Sequence, residues 1–209
     1  MEPTISTLRL AEHEALRRLV IDGEILDVGG NRNAAYPALI GGKHTFTFAN
    51  IDAAYGDMHL DAEKPWPLAS ESYDCVLMSN LLEHLYDYRT ALSEAYRVLK
   101  PGGRIVMTTP FMFYVHGSPL DYFRYTSFAL ERMLADAGFG EVKVESLGTG
   151  AFSVMFQPVA GPLRWPPLVG LGRALAGGID RLLAKIKPRN MLSAAYYPLG
   201  YYSEAVKGA

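Results

Sequence analysis

Apolar positions change their spacing several times along the chain, and each change predicts a new element. Over residues 6–19, Leu8, Ala11, Ala15, Leu16 and Leu19 recur at helical intervals, which predicts an amphipathic helix. The run Glu24-Ile25-Leu26-Asp27-Val28-Gly29-Gly30 is compact, apolar and broken by glycines, the pattern of a buried strand emptying into a loop. Similar short runs predict strands at 44–51, 58–60, 73–79, 104–109 and 142–147. Between them, 85–99 reads as a helix stopped by Lys100-Pro101-Gly102-Gly103. A second helix is expected over 127–137, with Ser127 as its cap and Gly138 at its end.

Strands alternating with helices predict an α/β fold with a mostly parallel sheet covered on both faces. After Gly148 the pattern changes. Four prolines (Pro158, Pro162, Pro166, Pro167) precede a helical stripe of Leu168, Leu171, Leu175, Ile179, Leu182 and Ile186. The chain then closes on a stretch whose second half, 201–207, reads as a strand.

The 209 residues suit one domain, and a hydrophobic share of 49% is enough for a sizeable core. A formal net charge of -2 argues against a dedicated nucleic-acid binder. Cys75 is the sole cysteine, which excludes an internal disulfide or a thiolate metal cluster. No metal site is expected. With no signal-peptide pattern and no apolar run of membrane-spanning length, a cytoplasmic location is expected.

In an open α/β sheet, ligands bind beyond the carboxyl ends of the strands, where strand order reverses. Here four predicted strand ends supply small or polar residues in succession: Asp27-Val28-Gly29-Gly30, then Asp52, then Asp61-Ala62, then Ser79-Asn80. Glycine lets a ligand approach the backbone closely, and a carboxylate after the second strand suits a pair of ribose hydroxyls. This is the pattern of a nucleoside site.

Ile25-Leu26-Asp27-Val28-Gly29, Asp52, Asp61-Ala62, Tyr73-Asp74-Cys75-Val76, Leu82-Glu83-His84 and Arg97-Val98-Leu99-Lys100-Pro101-Gly102-Gly103 resemble the successive motifs of class I S-adenosylmethionine-dependent methyltransferases of the small-molecule type. The resemblance covers roughly residues 20–147. It implies a Rossmann-like seven-stranded sheet with an antiparallel last strand. It also implies S-adenosyl-L-methionine as cofactor. Asp27, Gly29, Gly30 and Asn31 would face its methionine end together with His84, and Ser79 and Asn80 would complete the site. Asp52 would face the ribose, and Asp61 and Ala62 the adenine edge.

The family loop usually reads Gly-x-Gly-x-Gly. This chain reads Gly29-Gly30-Asn31-Arg32-Asn33. Asparagine is the residue after glycine that best tolerates positive φ, so Asn31 or Asn33 is expected to adopt it. The loop also lacks the Gly-x-Gly-x-x-Gly spacing of nicotinamide-binding folds. The same two asparagines support the alternative of a non-catalytic cofactor-binding or scaffold protein.

The acceptor side falls on 109–126, where His116, Asp121, Tyr122, Arg124 and Tyr125 lie close together. A similar His-Gly-x-Pro-x-Asp-Tyr-x-Arg-Tyr-Thr segment marks a methyltransferase subgroup met in glycan and natural-product pathways. Methyl transfer is mostly alignment, but an oxygen nucleophile also needs a base. His116 suits that role, because an imidazole ordinarily titrates near neutrality. Asp121 and Tyr125 are its companion candidates. The competing reading pairs Asp121 with Arg124 as a brace. The implied reaction is O-methylation of a small-molecule or sugar-like acceptor.

Residues 151–195 carry six basic side chains against Asp180 alone. They are expected to be a helical insertion between the last two strands of one methyltransferase domain spanning 1–209. Its apolar stripe is expected to fold onto the aromatic loop 111–125 as a lid. A homodimer contact or a peripheral membrane surface are the other uses open to it.

Overall fold

A computed structural model describes residues 5–117, 120–160, 165–187 and 191–208. In chain order the elements are α1 (Thr7–Leu16), β1 (Gly23–Val28), β2 (His44–Asn50), β3 (Met58–His59), β4 (Tyr73–Ser79), α2 (Tyr88–Val98), β5 (Leu99–Pro110), α3 (Ser127–Asp136), β6 (Phe139–Leu147), α4 (Ala151–Ala160), α5 (Pro166–Ile186) and β7 (Gly200–Lys207). The strands form one seven-stranded sheet in the order β3-β2-β1-β4-β5-β7-β6. β1 to β5 pair in parallel, and β7 runs antiparallel to both β5 and β6. The Rossmann-like α/β architecture with its antiparallel last strand is therefore as expected.

The central strands are apolar at almost every position because both faces are covered. Alternate residues go to opposite cores. Leu26, Val28, Val76, Met78, Ile105 and Met107 join the core beneath α2 and α3. Ile25, Cys75, Leu77 and Val106 join the core beneath α1. Ile25 pairs with Cys75 and Asp27 with Leu77 across the β1–β4 register, so both faces stay in step.

Caps decide where the helices begin. The Ser6 hydroxyl accepts from Arg9 N at 3.0 Å, which makes Ser6 the cap of α1. Asp87 accepts from Thr90 N, so α2 starts at Tyr88 instead of the expected residue 85. Thr126, not Ser127, caps α3 through Ala129 N. The Lys100–Gly103 stretch does not end in a turn outside the sheet. β5 reaches back to Leu99, which pairs with Tyr73 across a register shift, and Gly102 takes φ 76 to accommodate it.

Residues 151–160 form a helix that the spacing of apolar residues does not announce, because its residues are apolar with little period. With α5 it makes a hairpin between β6 and β7 in chain order. Gln157 Nε2 donates to the Met112 carbonyl at 3.2 Å, and Arg173 Nη2 donates to the Ile5 carbonyl at 2.6 Å. The stripe from Leu168 to Ile186 does not pack on the aromatic loop as expected; its large side chains point outward. Of the six basic residues in 151–195, Arg164 and Arg189 lie outside the described residues.

Candidate active site

Strand order reverses between β1 and β4, and the candidate site opens there, beyond their carboxyl ends. Asp27, at the end of β1, is 0% exposed. Its Oδ2 accepts a hydrogen bond from the Tyr36 hydroxyl, while its Oδ1 has no partner. Burial pushes its carboxyl up to about 7, against a smaller lowering by Tyr36. A Cβ on Gly30 would fall 2.3 Å from Asp27 Cγ, so only glycine fits above that carboxylate. Gly29 takes φ 77.

Asn31 and Asn33 do not adopt positive φ, contrary to expectation. Asn31 Oδ1 instead accepts Asn33 N–H at 2.8 Å. This side-chain turn bends the loop without a left-handed residue. The left-handed asparagine of the site is Asn80, with φ 49 at the end of β4.

Gly29, Asn31, Ser79, Asn80, His84 and His116 line one open cleft of about 480 Å³, within the ~300–1,000 Å³ usual for small-molecule sites. Gly30, next to Gly29 in the chain, is buried against Asp27. The other expected cofactor residues stand apart from this cleft. Asp52 is exposed and accepts Ala54 N–H at 2.8 Å in a local turn. Asp61 pairs with Lys64 at 2.8 Å, which holds its carboxyl below the usual range. Ala62 is buried and its carbonyl accepts the Trp66 indole N–H. Ser79 Oγ lies 2.9 Å from Thr108 Oγ1.

At the other end of the cleft, three side chains converge. Glu83 is 0% exposed and neither of its carboxylate oxygens has a hydrogen-bond partner. Burial pushes its carboxyl up to about 8. His84 Nε2 lies 3.7 Å and His116 Nε2 4.0 Å from Glu83 Oε1. Each imidazole is steered through its other nitrogen: His84 Nδ1 to the Leu120 carbonyl at 2.5 Å, and His116 Nδ1 toward Asp121 Oδ2 at 3.4 Å. The three ligand atoms lie within 4.8 Å of one another. That is wider than the about 3.3 Å between neighbours in a tetrahedral shell of 2.0–2.1 Å bonds. As spaced, the cluster suits proton exchange.

Asp121 braces the loop. Its carboxylate takes both ends of the Arg124 guanidinium, at 2.5 and 2.6 Å, and accepts His116 N–H at 2.8 Å. Arg124 holds this carboxyl down at about 2. Tyr125 goes to the core. It is 7% exposed, and its hydroxyl donates to the Leu82 carbonyl at 3.4 Å. It does not line the cleft, because its ring packs in the core beneath α2 and α3.

Three residues of the site carry no role in the sequence reading. Tyr36 and Glu83 are two of them. The third is Glu12, 1% exposed on α1, with Arg9 at 3.5 Å. Its signal was available: a carboxylate four residues from both Leu8 and Leu16, on the face that α1 buries. Arg9 and His13 also line the cleft, so α1 forms the wall that the insertion was expected to supply.

Residues 43–107, from β2 through most of β5, match the methyltransferase-domain family. Over 78 residues the chain is 40% identical to the ubiquinone/menaquinone biosynthesis C-methyltransferase UbiE of Desulfotalea psychrophila, covering 36% of this chain and 31% of that one. The chain spans less than a third of the length of each of the curated relatives it matches. Among solved structures, phosphoethanolamine N-methyltransferase 2 of Haemonchus contortus in complex with S-adenosyl-L-methionine superimposes with TM-score 0.59 at 14% identity, over 95% of this chain and 52% of that one. The [4+2]-cyclase SpnF superimposes with TM-score 0.59 at 21% identity, over 96% and 81%. In fold, and in the sequence of residues 43–107, the chain is similar to S-adenosylmethionine-dependent methyltransferases.

Proposed function

We propose that this chain transfers a methyl group from S-adenosyl-L-methionine to a hydroxyl of a small-molecule or sugar-like acceptor. One observation carries the reading: the glycine loop over Asp27 and the Glu83–His84–His116 cluster open into the same cleft. The cofactor supplies an activated methyl group when bound. The residues fit it, since Asp27 keeps an unpartnered buried oxygen and the backbone at Gly30 leaves room where a side chain would collide. Asp27, Gly29, Gly30, Asn31, Ser79, Asn80 and His84 hold its methionine end. The motif order assigns Asp52 to the ribose and Asp61 and Ala62 to the base, at strand ends beyond this cleft.

Catalysis by the chain itself is alignment plus proton removal. His116 is the most exposed member of the cluster and accepts the acceptor's proton. Asp121 and Arg124 are positioning residues that fix its backbone. Exposed rings at Tyr86, Tyr114 and Tyr122 offer flat apolar faces of the kind that sugar rings stack on. The C- and N-methyltransferases among the relatives act at other atoms, so oxygen rests on His116 and its neighbours alone. The whole unit works as one methyltransferase domain with the α4–α5 hairpin as its insertion.

Titration calorimetry with S-adenosyl-L-methionine tests the first half, and transfer of labelled methyl to a panel of hydroxylated and amino acceptors tests the second. Binding without transfer to any acceptor favours the scaffold reading. The presence of a cyclase among the fold neighbours makes that outcome a real alternative.

A further inference from the structure

A surface helix ordinarily buries its large apolar residues and exposes its polar ones. α5 is built the other way round. Leu171, Leu175, Leu182 and Ile186 are 57%, 59%, 58% and 72% exposed, and Leu168 and Ile179 each 41%. The face turned to the protein is made of small or polar residues: Val169, Ala176 and Gly177 are buried, and Asp180 is 3% exposed. The close fit explains the small residues, since a Cβ on Gly172 would reach within 2.4 Å of the Phe156 ring on α4. Arg173, on the same inward side, is held by α1 through Thr7 Oγ1 and the Ile5 carbonyl.

The orientation is thus pinned by polar contacts on the inner side, and the outward leucines are left for another apolar medium. α4 extends the patch with Met155 and Val159, 68% and 54% exposed, and Trp165 at the head of α5 is 64% exposed. No described helix is long and apolar enough to cross a membrane. A helix with these features lies along an interface instead.

Charge selects the occupant. Asp180, buried, is the sole acidic residue of α4 and α5, whereas Arg181 and Lys185 border the leucine stripe on one side. Two copies meeting symmetrically through this face would bring like charges together with no acid on either hairpin to answer them. Anionic headgroups answer them directly. We infer that the α4–α5 hairpin docks this protein on an anionic membrane surface, with Leu171, Leu175, Leu182 and Ile186 entering the acyl boundary and Arg181 and Lys185 at the headgroups.

This inference does not depend on methyl transfer, because vesicle binding is read without cofactor or acceptor. The test is co-sedimentation of the full chain with phosphatidylglycerol-rich and with pure phosphatidylcholine vesicles. The expected result is pelleting with the anionic vesicles, weakened by salt. The double variant Leu175→Gln/Leu182→Gln should lower the partition coefficient about tenfold or more, as should Arg181→Glu/Lys185→Glu, with circular dichroism unchanged in both. Failure to pellet, or pelleting that the leucine variant leaves intact, overturns the inference. A dimer in analytical ultracentrifugation that Leu175→Gln/Leu182→Gln dissociates, without vesicle binding, overturns it in favour of a second copy.

Discussion

The carboxylate of Asp180, on α5, accepts the backbone N–H of Ser153, on α4, at 3.0 Å. It also accepts Phe152 N–H at 3.1 Å and the Thr149 hydroxyl at 3.0 Å. One buried side chain therefore caps the neighbouring helix from across the hairpin, where an anion is favoured by the unpaired N–H groups and the helix dipole. Asp180→Ala should cost about 2–3 kcal/mol of stability, because it strands these donors. Chemical denaturation measures it. A loss under about 0.5 kcal/mol would show that the hairpin's geometry is held elsewhere.

Gly30→Ala places a methyl group where Asp27 Cγ is 2.3 Å away. Either the carboxylate or the loop must move. The expected outcome is cofactor affinity reduced about tenfold or more, with stability lowered by about 1–3 kcal/mol. Calorimetry on the folded variant decides; wild-type affinity would remove Asp27 from the site.

Asp27 also predicts a pH dependence. Burial keeps its native carboxyl protonated up to about pH 7, whereas the unfolded chain releases that proton near 4. Between these values the folded state binds the extra proton, so this contribution is complete below about pH 4 and is lost as pH rises to about 7. The cofactor-free protein should therefore lose stability across this window relative to Asp27→Asn. Parallel pH profiles of the two proteins would contradict the assignment.

His116→Ala should lower kcat by about 10²–10⁴ while the cofactor's Kd stays within a factor of two or so. Asp52→Ala should do the reverse, weakening cofactor binding in a protein that remains folded. If His116→Ala changes only Kd, the imidazole belongs to the cofactor side of the cleft and the base lies elsewhere.

Arg124→Ala leaves Asp121 buried without its guanidinium partner. It should destabilise the loop, costing about 1–3 kcal/mol, and should lower kcat by mispositioning His116. Restoring kcat with Arg124→Lys is not expected, since an ammonium cannot take both carboxylate oxygens in the forked geometry seen here.

The central strands were legible in the sequence because burial on both faces imposes long apolar runs, and the residues ending those runs mark the ligand end of the sheet. Asp27, Gly29 and Gly30 could be placed for that reason, and the antiparallel last strand followed from the family resemblance. Other features depend on partners far away in the chain. Glu83 and His84 meet His116 where the loop folds back on them, with Tyr122 N–H donating to the Glu83 carbonyl at 2.8 Å. Tyr125 was legible as a polar-tipped residue nine positions after His116, and only packing shows that its ring belongs to the core. The apolar stripe of α5 was plain from its spacing, but spacing gives a helix its two faces without saying which one meets the protein. Asp180, Arg173 and the glycine contact at Phe156 made that choice, because buried polar groups must find partners while exposed leucines need none until another surface arrives.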